Sequence, residues 1–91
     1  MNPRVLSANR LADGAVVYFR SDEVWSTAFA DAFVAHGDAQ AERLSAIGRA
    51  AERSAQVVGA YLVDVVADGG GVTPATLRER IRAAGPTVVA A

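Results

Sequence analysis

Two short, largely apolar runs lie on either side of an Asp-Gly pair in the first twenty positions, and this pattern predicts a β-hairpin. The predicted strands are residues 4–11 and 15–20, and Gly14 supplies the left-handed backbone that a tight turn needs. Arg10 falls with the apolar set, so we expect it at the sheet margin, extending towards solvent. The pattern assigns Leu6, Ala8, Val17 and Phe19 to the core face, and Asn9, Tyr18 and Arg20 to the opposite face.

The register of this hairpin depends on the length of its turn. A two-residue turn at Asp13-Gly14 pairs Leu11 with Val16. A three-residue turn with a bulge shifts that pairing by one. The sequence leaves these two registers open.

The next segment, residues 21–37, has the pattern of a polar connection followed by a third strand. The connection SDEVWST contains the only tryptophan, Trp25. Phe29, Phe33 and Val34, among alternating small and polar residues, predict a short strand that ends at His36-Gly37.

Residues 38–55 show the helical period most clearly. Asp38 is the predicted N-cap. Gly48 lowers helix propensity by up to about 1 kcal/mol relative to alanine, which indicates close packing at that position. The inner face is predicted to carry Leu44, Ile47, Ala51 and Ala55, and the outer side Glu42, Arg43, Arg49, Glu52 and Arg53.

Two further elements complete the chain. The β-branched run at residues 60–66 predicts a central strand, buried on both faces and interrupted by Asp64. The Gly-rich stretch 67–72 predicts a flexible loop, and a short helix follows with Thr73 as N-cap and Pro74 at its first position. Leu77, Ile81 and Ala84 are predicted to face inwards, Gly85 and Pro86 to end the helix, and residues 87–91 to pair or fray.

The predicted order is therefore β-β-β-α-β-α in one domain spanning residues 1–91. Such an order is typical of an α+β fold, here a small, mainly antiparallel sheet with the long helix packed on one face. A chain of 91 residues is near the lower end of what folds alone, so we expect one compact core.

Composition excludes several classes of function. With no cysteine and one histidine, the chain lacks the ligands for disulfides, thiolate nucleophiles, cysteine-held iron–sulfur clusters and Cys- or His-rich zinc sites, so we expect no metal and no cofactor. The net charge of −1 argues against nucleic-acid binding. No segment has the apolar length of a signal peptide or a membrane span, so we expect a cytoplasmic protein with no membrane partner.

Few side chains are candidates for catalysis. His36 precedes a glycine in a predicted turn, and the spacing of the sequence suggests no Ser-His-Asp or Cys-His arrangement. We therefore expect an exposed residue and not a general base. Asp22 and Glu23 are expected to be solvated. Asp64 is expected to find an arginine from the hairpin or the long helix. We therefore predict no catalytic residue.

Four residues are the strongest candidates for binding. Arg78 and Arg82, one helical turn apart, would together dock an acidic partner or a phosphate, although an ordinary solvated face is the plainer interpretation. Trp25 and Tyr18 anchor interfaces when exposed, whereas a lone tryptophan after a hairpin more often caps the core. The loop at 69–73 is a second anion candidate, without the spacing or the lysine of a phosphate-binding loop.

The most distinctive segments of the chain are NRLADGAVVYF at residues 9–19, VVGAYLVDV at 57–65 and LRERIRAAGPTV at 77–88. In these segments the sequence resembles a small bacterial family of domains of unknown function, whose genes commonly lie beside those of assimilatory sulfite or nitrite reductases. Gly59-Ala60 departs from the family pattern, in which Asp-Pro is expected. The resemblance implies a metabolic setting and no site residues.

Three hypotheses about function follow. The first is a non-enzymatic accessory or regulatory protein of sulfite or nitrite reduction, which contacts a reductase component or a second copy of itself through a sheet edge. The second is a small-anion-binding or sensor domain that uses the 69–73 loop or the Arg78 and Arg82 face. The third, an enzyme, requires His36, Asp64 and Tyr18 to converge in one pocket.

Overall fold

The computed structural model describes residues 3–20, 24–68 and 71–84, which form a five-stranded sheet and three helical segments. In chain order these are β1 (Arg4–Arg10), β2 (Val16–Phe19), β3 (Trp25–Ser26), a 3₁₀ helix (Phe29–Asp31), α1 (Asp38–Arg53), β4 (Val57–Asp68), β5 (Gly71–Pro74) and α2 (Leu77–Ala84). The strand order is β3-β2-β1-β4-β5, and all neighbouring strands are antiparallel. The predicted α+β class is confirmed.

The predicted hairpin is present, with a longer connection than either turn considered. Ser7 lies opposite Tyr18. Asn9 pairs with Val16, and Leu11 lies in the connection instead of opposite Val16. The shift from the two-residue register is an even number of positions, so the assignment of side chains to the two faces is unchanged.

Arg10 lies at the end of β1, where the sequence places a margin residue. Its guanidinium donates hydrogen bonds of 2.8 and 3.1 Å to the two carboxylate oxygens of Asp13. This hydrogen bonding lowers the pKa of Asp13 to about 2. Asp13 also accepts from the backbone N–H of Ala15, over 3.1 Å. The pair therefore closes the β1–β2 connection.

The third strand lies in a different segment from the predicted one. Phe29 begins the 3₁₀ helix. The extended residues 32–35 reach the sheet through an isolated bridge between Ala35 and Arg4 and through a 2.8 Å hydrogen bond from the backbone N–H of Phe33 to the carbonyl of Phe19. The apolar side chains of this segment pack over buried residues of the sheet instead of forming a ladder. β3 forms instead from Trp25 and Ser26, in the stretch expected to be a polar connection.

β4 is longer than predicted and is not the central strand. It begins at Val57 and pairs with β1, which occupies the centre of the sheet. Val63 and Val65 are buried but Tyr61 and Asp64 are exposed, so the strand is not buried on both faces throughout. The backbone of Asp64 lies opposite Arg4, which makes an arginine of the hairpin its cross-strand neighbour.

The described residues of the Gly-rich stretch 67–72 lie in strands. Residues 71–74 form β5 and pair antiparallel with the end of β4. Gly69 and Gly70 lie outside the described residues. The expectation of a loop through residue 72 is wrong because the ladder that begins at Val65 and Pro74 continues to Asp68 and Gly71.

α2 begins later than predicted. Pro74 ends β5, so Thr73 is a strand residue and not the N-cap. The cap is Thr76, whose hydroxyl accepts a 3.3 Å hydrogen bond from the backbone N–H of Glu79. The predicted stop at Gly85 and Pro86 and the tail 87–91 lie outside the described residues.

α1 covers one face of the sheet as predicted. Leu44 and Ala51 are buried, Ile47 is half-buried, and the charged residues of the outer side are exposed. A Cβ atom at Gly48 would lie 3.0 Å from Ala60 Cβ and 3.2 Å from a methyl group of Leu6. Glycine at this position therefore lets the helix approach the sheet closely, as its place in the pattern suggests.

The ends of α1 differ from the prediction by one or two residues. Gly37, with φ of 87°, is the N-cap, and Asp38 is the first helical residue and makes no capping hydrogen bond. Ala55 lies beyond the last helical residue, exposed and with φ of 61°, and not on the inner face. Neither α1 nor α2, the α-helices of the described part of the chain, has the length and hydropathy of a membrane-spanning segment.

Both faces of the sheet carry buried side chains. The predicted core residues Leu6, Ala8, Val17 and Phe19 are buried on the α1 side. The opposite face, predicted to carry polar residues, holds a second cluster of Val5, Tyr18, Val63 and Val65. Phe29 packs against this cluster from the 3₁₀ helix, Val34 from the extended segment that follows it, and Ala83 from α2. The sheet is therefore covered on both faces. On the face opposite α1, α2 lies over polar residues of the sheet.

Candidate functional site

The four residues predicted to bind a partner lie in three different places. Arg82 contacts Ser7, the cross-strand neighbour of Tyr18, beneath α2. Arg78 is exposed on the same helix. Trp25 lies on the other side of the sheet, with the α1 cluster. The structure therefore separates Arg78 from Arg82, which the sequence places on one exposed face.

Arg82 bridges α2 and the centre of the sheet. Its guanidinium donates to Ser7 Oγ and, over 3.0 Å, to Asn9 Oδ1, which lie 75 and 73 positions earlier in the chain. The guanidinium carbon is 5.2 Å from the centroid of the Tyr61 ring, within the range of a cation–π interaction. One half-buried arginine thus contacts both β1 and β4.

Glu79 supplies the opposite charge. The hydroxyl of Tyr61 donates a 2.7 Å hydrogen bond to Glu79 Oε2, and Glu79 Oε1 lies 3.9 Å from Arg82 Nη1. Burial, and then the hydrogen bond to Glu79, raise the pKa of Tyr61 to about 12. The phenol therefore keeps its proton at neutral pH and acts as a hydrogen-bond donor.

Tyr18 forms the floor of this region. Its side chain is 1% exposed, and its ring meets Phe29 edge-on with 5.2 Å between centroids. Burial raises the pKa of Tyr18. Among the described residues, the Tyr18 hydroxyl oxygen and Glu79 Oε1 are buried without a hydrogen-bond partner. Tyr18 is thus a core residue and not an exposed anchor.

These six residues, Ser7, Asn9, Tyr18, Tyr61, Glu79 and Arg82, are called the polar clamp below. Within it, Arg82 is held by hydrogen bonds and its charge is opposed by Glu79. Because the pKa of each tyrosine is raised, neither phenol is a base near neutral pH. The arrangement can hold α2 against the sheet by charge-assisted hydrogen bonds, which are stronger than neutral ones.

The outer side of α2 is both basic and apolar. Arg78, Arg80 and Ile81 are exposed, and the exposure of Ile81, at 51%, contradicts its predicted inward position. The inward positions belong to Glu79 and Arg82 because their polar groups find partners on the sheet. The side chains of Leu77 and Ala84 lie outside the described residues.

An open cleft of about 450 Å³ lies where α2 begins, beside β4. Arg78 and Thr76 line it from the helix side, and Tyr61 and Leu62 from the strand. The cleft therefore joins an exposed cation to the edge of the polar clamp.

Trp25 caps the core on the α1 side, as expected for a lone tryptophan after a hairpin. Its ring meets Phe19 edge-on, with centroids 5.8 Å apart. It also lines an open groove of about 370 Å³, whose other wall is the side of α1 formed by Ile47, Ala50 and Ser54. We call this the Trp25 groove.

The remaining candidates are scattered. His36 is exposed, and its backbone N–H donates to Gln40 Oε1 over 2.8 Å. Tyr18 and Asp64 lie on opposite faces of the sheet, so they do not share a pocket with each other. Asp22 and Glu23 lie outside the described residues, and no group of three acidic or histidine side chains in the described ranges is placed to hold a metal ion.

Of the six members of the polar clamp, sequence reasoning singled out only Tyr18 and Arg82 as binding residues. It missed Ser7 and Asn9 of β1, together with Tyr61 and Glu79. A signal for Glu79 was present, because Thr76 followed three residues later by glutamate is a capping box, which places the start of a helix. Tyr61 in a valine-rich strand also signals a polar partner, since a phenol that loses part of its contact with water usually finds one. The contact of α2 with β1 has no local signal, because its partners are 75 positions apart.

The architecture is that of a small α+β domain, an antiparallel sheet with a long helix on one face and a short, polar-clamped helix on the other. The sequence profile of the family described as "Protein of unknown function (DUF2849)" matches residues 4–91, and the chain belongs to that family. This confirms the resemblance to a family of domains of unknown function. No curated protein and no solved structure matches the chain.

Proposed function

We propose that this protein is a non-enzymatic accessory component of sulfite or nitrite reduction in the bacterial cytoplasm, and that it binds a reductase component through the outer side of α2. The metabolic setting rests on the resemblance of the segments at residues 9–19 and 77–88 to a family whose genes lie beside those of such reductases. The mode of action rests on one observation: α2 exposes Arg78 and Ile81 while its inner residues tie it to the sheet.

A docking helix needs a rigid base, and the polar clamp provides one. α2 has eight residues, a length at which an isolated helix is unstable in water. Its contacts with β1 through Arg82 and with β4 through Glu79 fix its position. Its outer side therefore presents a preorganised surface, which lowers the cost of ordering on binding.

The charge on this surface favours an acidic partner. Arg82 faces Glu79, and Arg80 Nε donates to the carbonyl of Pro74 over 3.0 Å. Arg78 makes no hydrogen bond or ion pair within the described residues. Because arginine and large apolar side chains are enriched in protein interfaces, Arg78 beside Ile81 supports protein contact.

Co-elution of the purified protein with purified assimilatory sulfite reductase tests the proposal. Arg78→Glu is expected to weaken binding about tenfold, because it reverses a charge that faces an acidic surface. Arg49→Glu, a reversal at an exposed arginine of α1, serves as the control and is expected to leave binding unchanged. No binding by the wild-type protein, with unchanged sulfite reduction in a strain lacking the gene, contradicts the proposal.

A ligand titration of the same protein distinguishes docking from anion sensing. Arg82 faces the sheet and residues 71–73 lie in β5, which favours docking over anion binding. Titration with sulfite and sulfate is expected to leave Trp25 fluorescence and the melting temperature unchanged. A ligand of the folded state raises that temperature by mass action, so a rise at millimolar sulfite would favour anion sensing over docking.

A further inference from the structure

Trp25 directs its peptide N–H and C=O at the free edge of the sheet. β3 is the outermost of the five described strands, so within the described part of the chain only one of its edges is paired. The backbone N–H of Arg20 donates to the carbonyl of Val24 over 2.8 Å, which turns the peptide groups of Val24 towards β2. Successive residues of an antiparallel strand direct these groups to alternate edges. Those of Trp25 therefore point away from β2, and those of Ser26 point back to it.

The Trp25 groove beside this edge is uncharged. It is bounded by Trp25 and by the side of α1 that carries Ile47, Ala50 and Ser54. None of its seven lining residues is charged, although 21% of the residues in the chain are. Val24, which precedes Trp25 in the chain, is 49% exposed. Within the described part of the chain, the unpaired peptide groups of Trp25 thus adjoin an uncharged surface.

We propose that a second copy of this chain binds here, with the two β3 strands paired antiparallel across a two-fold axis at Trp25. In this register Trp25 exchanges both peptide hydrogen bonds with the partner's Trp25, and Val24 lies opposite the partner's Ser26. The two indoles become cross-strand neighbours on one face of a continuous sheet, between two α1 helices. This surface is separate from the outer side of α2, so the inference goes beyond the proposed function.

Symmetry favours a second copy over a different protein as the occupant. A two-fold axis brings residues near it close to their own counterparts, so a charged residue there would meet a like charge. The uncharged lining of the Trp25 groove meets this condition. Because the edge offers the peptide groups of one central residue, the symmetric pairing satisfies both copies and removes the free edge of each. Ala50 and Ser54 are small enough for the two α1 helices to approach.

The association state of the purified full chain tests the inference. Light scattering and sedimentation over a concentration series are expected to show a monomer that becomes a dimer. Trp25 is the only tryptophan, and its emission is expected to move to shorter wavelength as the dimer forms, because the indole leaves water. A monomer mass at every concentration overturns the inference.

Charge variants at Ala50 test the surface itself. Ala50→Arg places like charges on both sides of the axis and is expected to raise the dimer dissociation constant at least about tenfold. Ala46→Arg, at an exposed alanine of the same helix outside the Trp25 groove, is the matched control. Mixing Ala50→Arg with Ala50→Glu is expected to restore a dimer with one copy of each, which an interface symmetric at this position predicts.

Circular dichroism of each variant separates loss of pairing from loss of folding. A folded Ala50→Arg protein with an unchanged dissociation constant overturns the location of the interface. A wild-type dimer that binds no reductase supports this inference and contradicts the proposed function. A strict monomer that binds reductase gives the reverse result.

Discussion

Gly48 and the two tyrosines show how single side chains set the packing on the two faces of the sheet. Gly48 allows α1 to lie so close to the sheet that an added Cβ atom would be 3.0 Å from Ala60 Cβ and 3.2 Å from a methyl group of Leu6. On the other face, the ring of Tyr18 fills the core and Tyr61 carries a hydrogen bond to α2. The first role depends on the absence of a side chain, and the second on a phenol that stays protonated.

Gly48→Ala is expected to lower the free energy of unfolding by about 1 kcal/mol. The added methyl group gains up to about 1 kcal/mol of helix propensity, but overpacking against the sheet costs about 1–3 kcal/mol. Urea denaturation followed by circular dichroism measures the difference. Ala46→Gly, at an exposed position of the same helix, measures the propensity term alone. A more stable Gly48→Ala protein would mean that α1 and the sheet have room to spare.

The tyrosines are expected to resist ionisation until the protein unfolds. The pKa of Tyr61 is about 12, against about 10 in an unfolded chain. A raised pKa contributes stability that is fully present below pH of about 10 and is lost as the pH rises towards 12. Tyrosinate absorbance should therefore rise at higher pH in native protein than in urea. Coincident titration curves would show that Tyr61 is not held by Glu79.

At the scale of elements, the local pattern predicted the hairpin and α1 because each is defined by its own periodicity. β3 was missed because two residues are too few to show any period. β5 was missed because Gly71 belongs to a run that is typical of loops, while the pairing of that strand with β4 decides its conformation. The inner side of α2 was wrong for a related reason: polar partners on the sheet outweigh the apolar preference of Ile81.

The polar clamp was predictable only in its parts. Tyr18 and Arg82 stand out as amphipathic or charged residues, but their proximity depends on β1 and α2 meeting from opposite ends of the chain. No spacing in the sequence encodes a contact over that separation. The capping position of Trp25 was predicted, because its ring packs against Phe19 of the adjacent hairpin.

Thr76→Ala is expected to loosen α2 without affecting α1. Loss of the N-cap hydrogen bond to Glu79 costs about 1 kcal/mol, which raises the population of unfolded α2 about fivefold. Hydrogen exchange is expected to accelerate by that factor in α2 amides. Thr76→Ser keeps the hydroxyl and should exchange like the wild type. Equal acceleration in α1 would mean that α2 does not open as a separate unit.

At the scale of the whole molecule, the polar clamp ties the last described helix to the first strand. β1 lies at the centre of the sheet, between β2 and β4, and the Arg82 contacts reach it from α2. The clamp therefore links segments that are far apart in the chain, and its loss should be felt in global stability as well as in α2.

Arg82→Met is expected to lower the free energy of unfolding by about 2–3 kcal/mol, because Glu79 is left as an uncompensated, mostly buried charge and Asn9 loses its donor. For a small domain, this is a large part of a total of about 5–15 kcal/mol. Arg78 is exposed and lies one turn away, so Arg78→Met should change the free energy of unfolding by less than about 0.5 kcal/mol. Urea denaturation of both proteins gives the comparison, and equal effects would remove the distinction between the two arginines.

The central position of β1 also governs how the protein is made. On the ribosome, β1 and β2 emerge first, but the other neighbour of β1 is β4, which is translated after more than half of the chain. At about 5–20 residues per second, the nascent hairpin stays unpaired along one side for a few seconds. Chaperones that bind extended apolar segments would therefore be expected to engage the early half of the chain, before Val57 and the residues after it reach the exit of the tunnel.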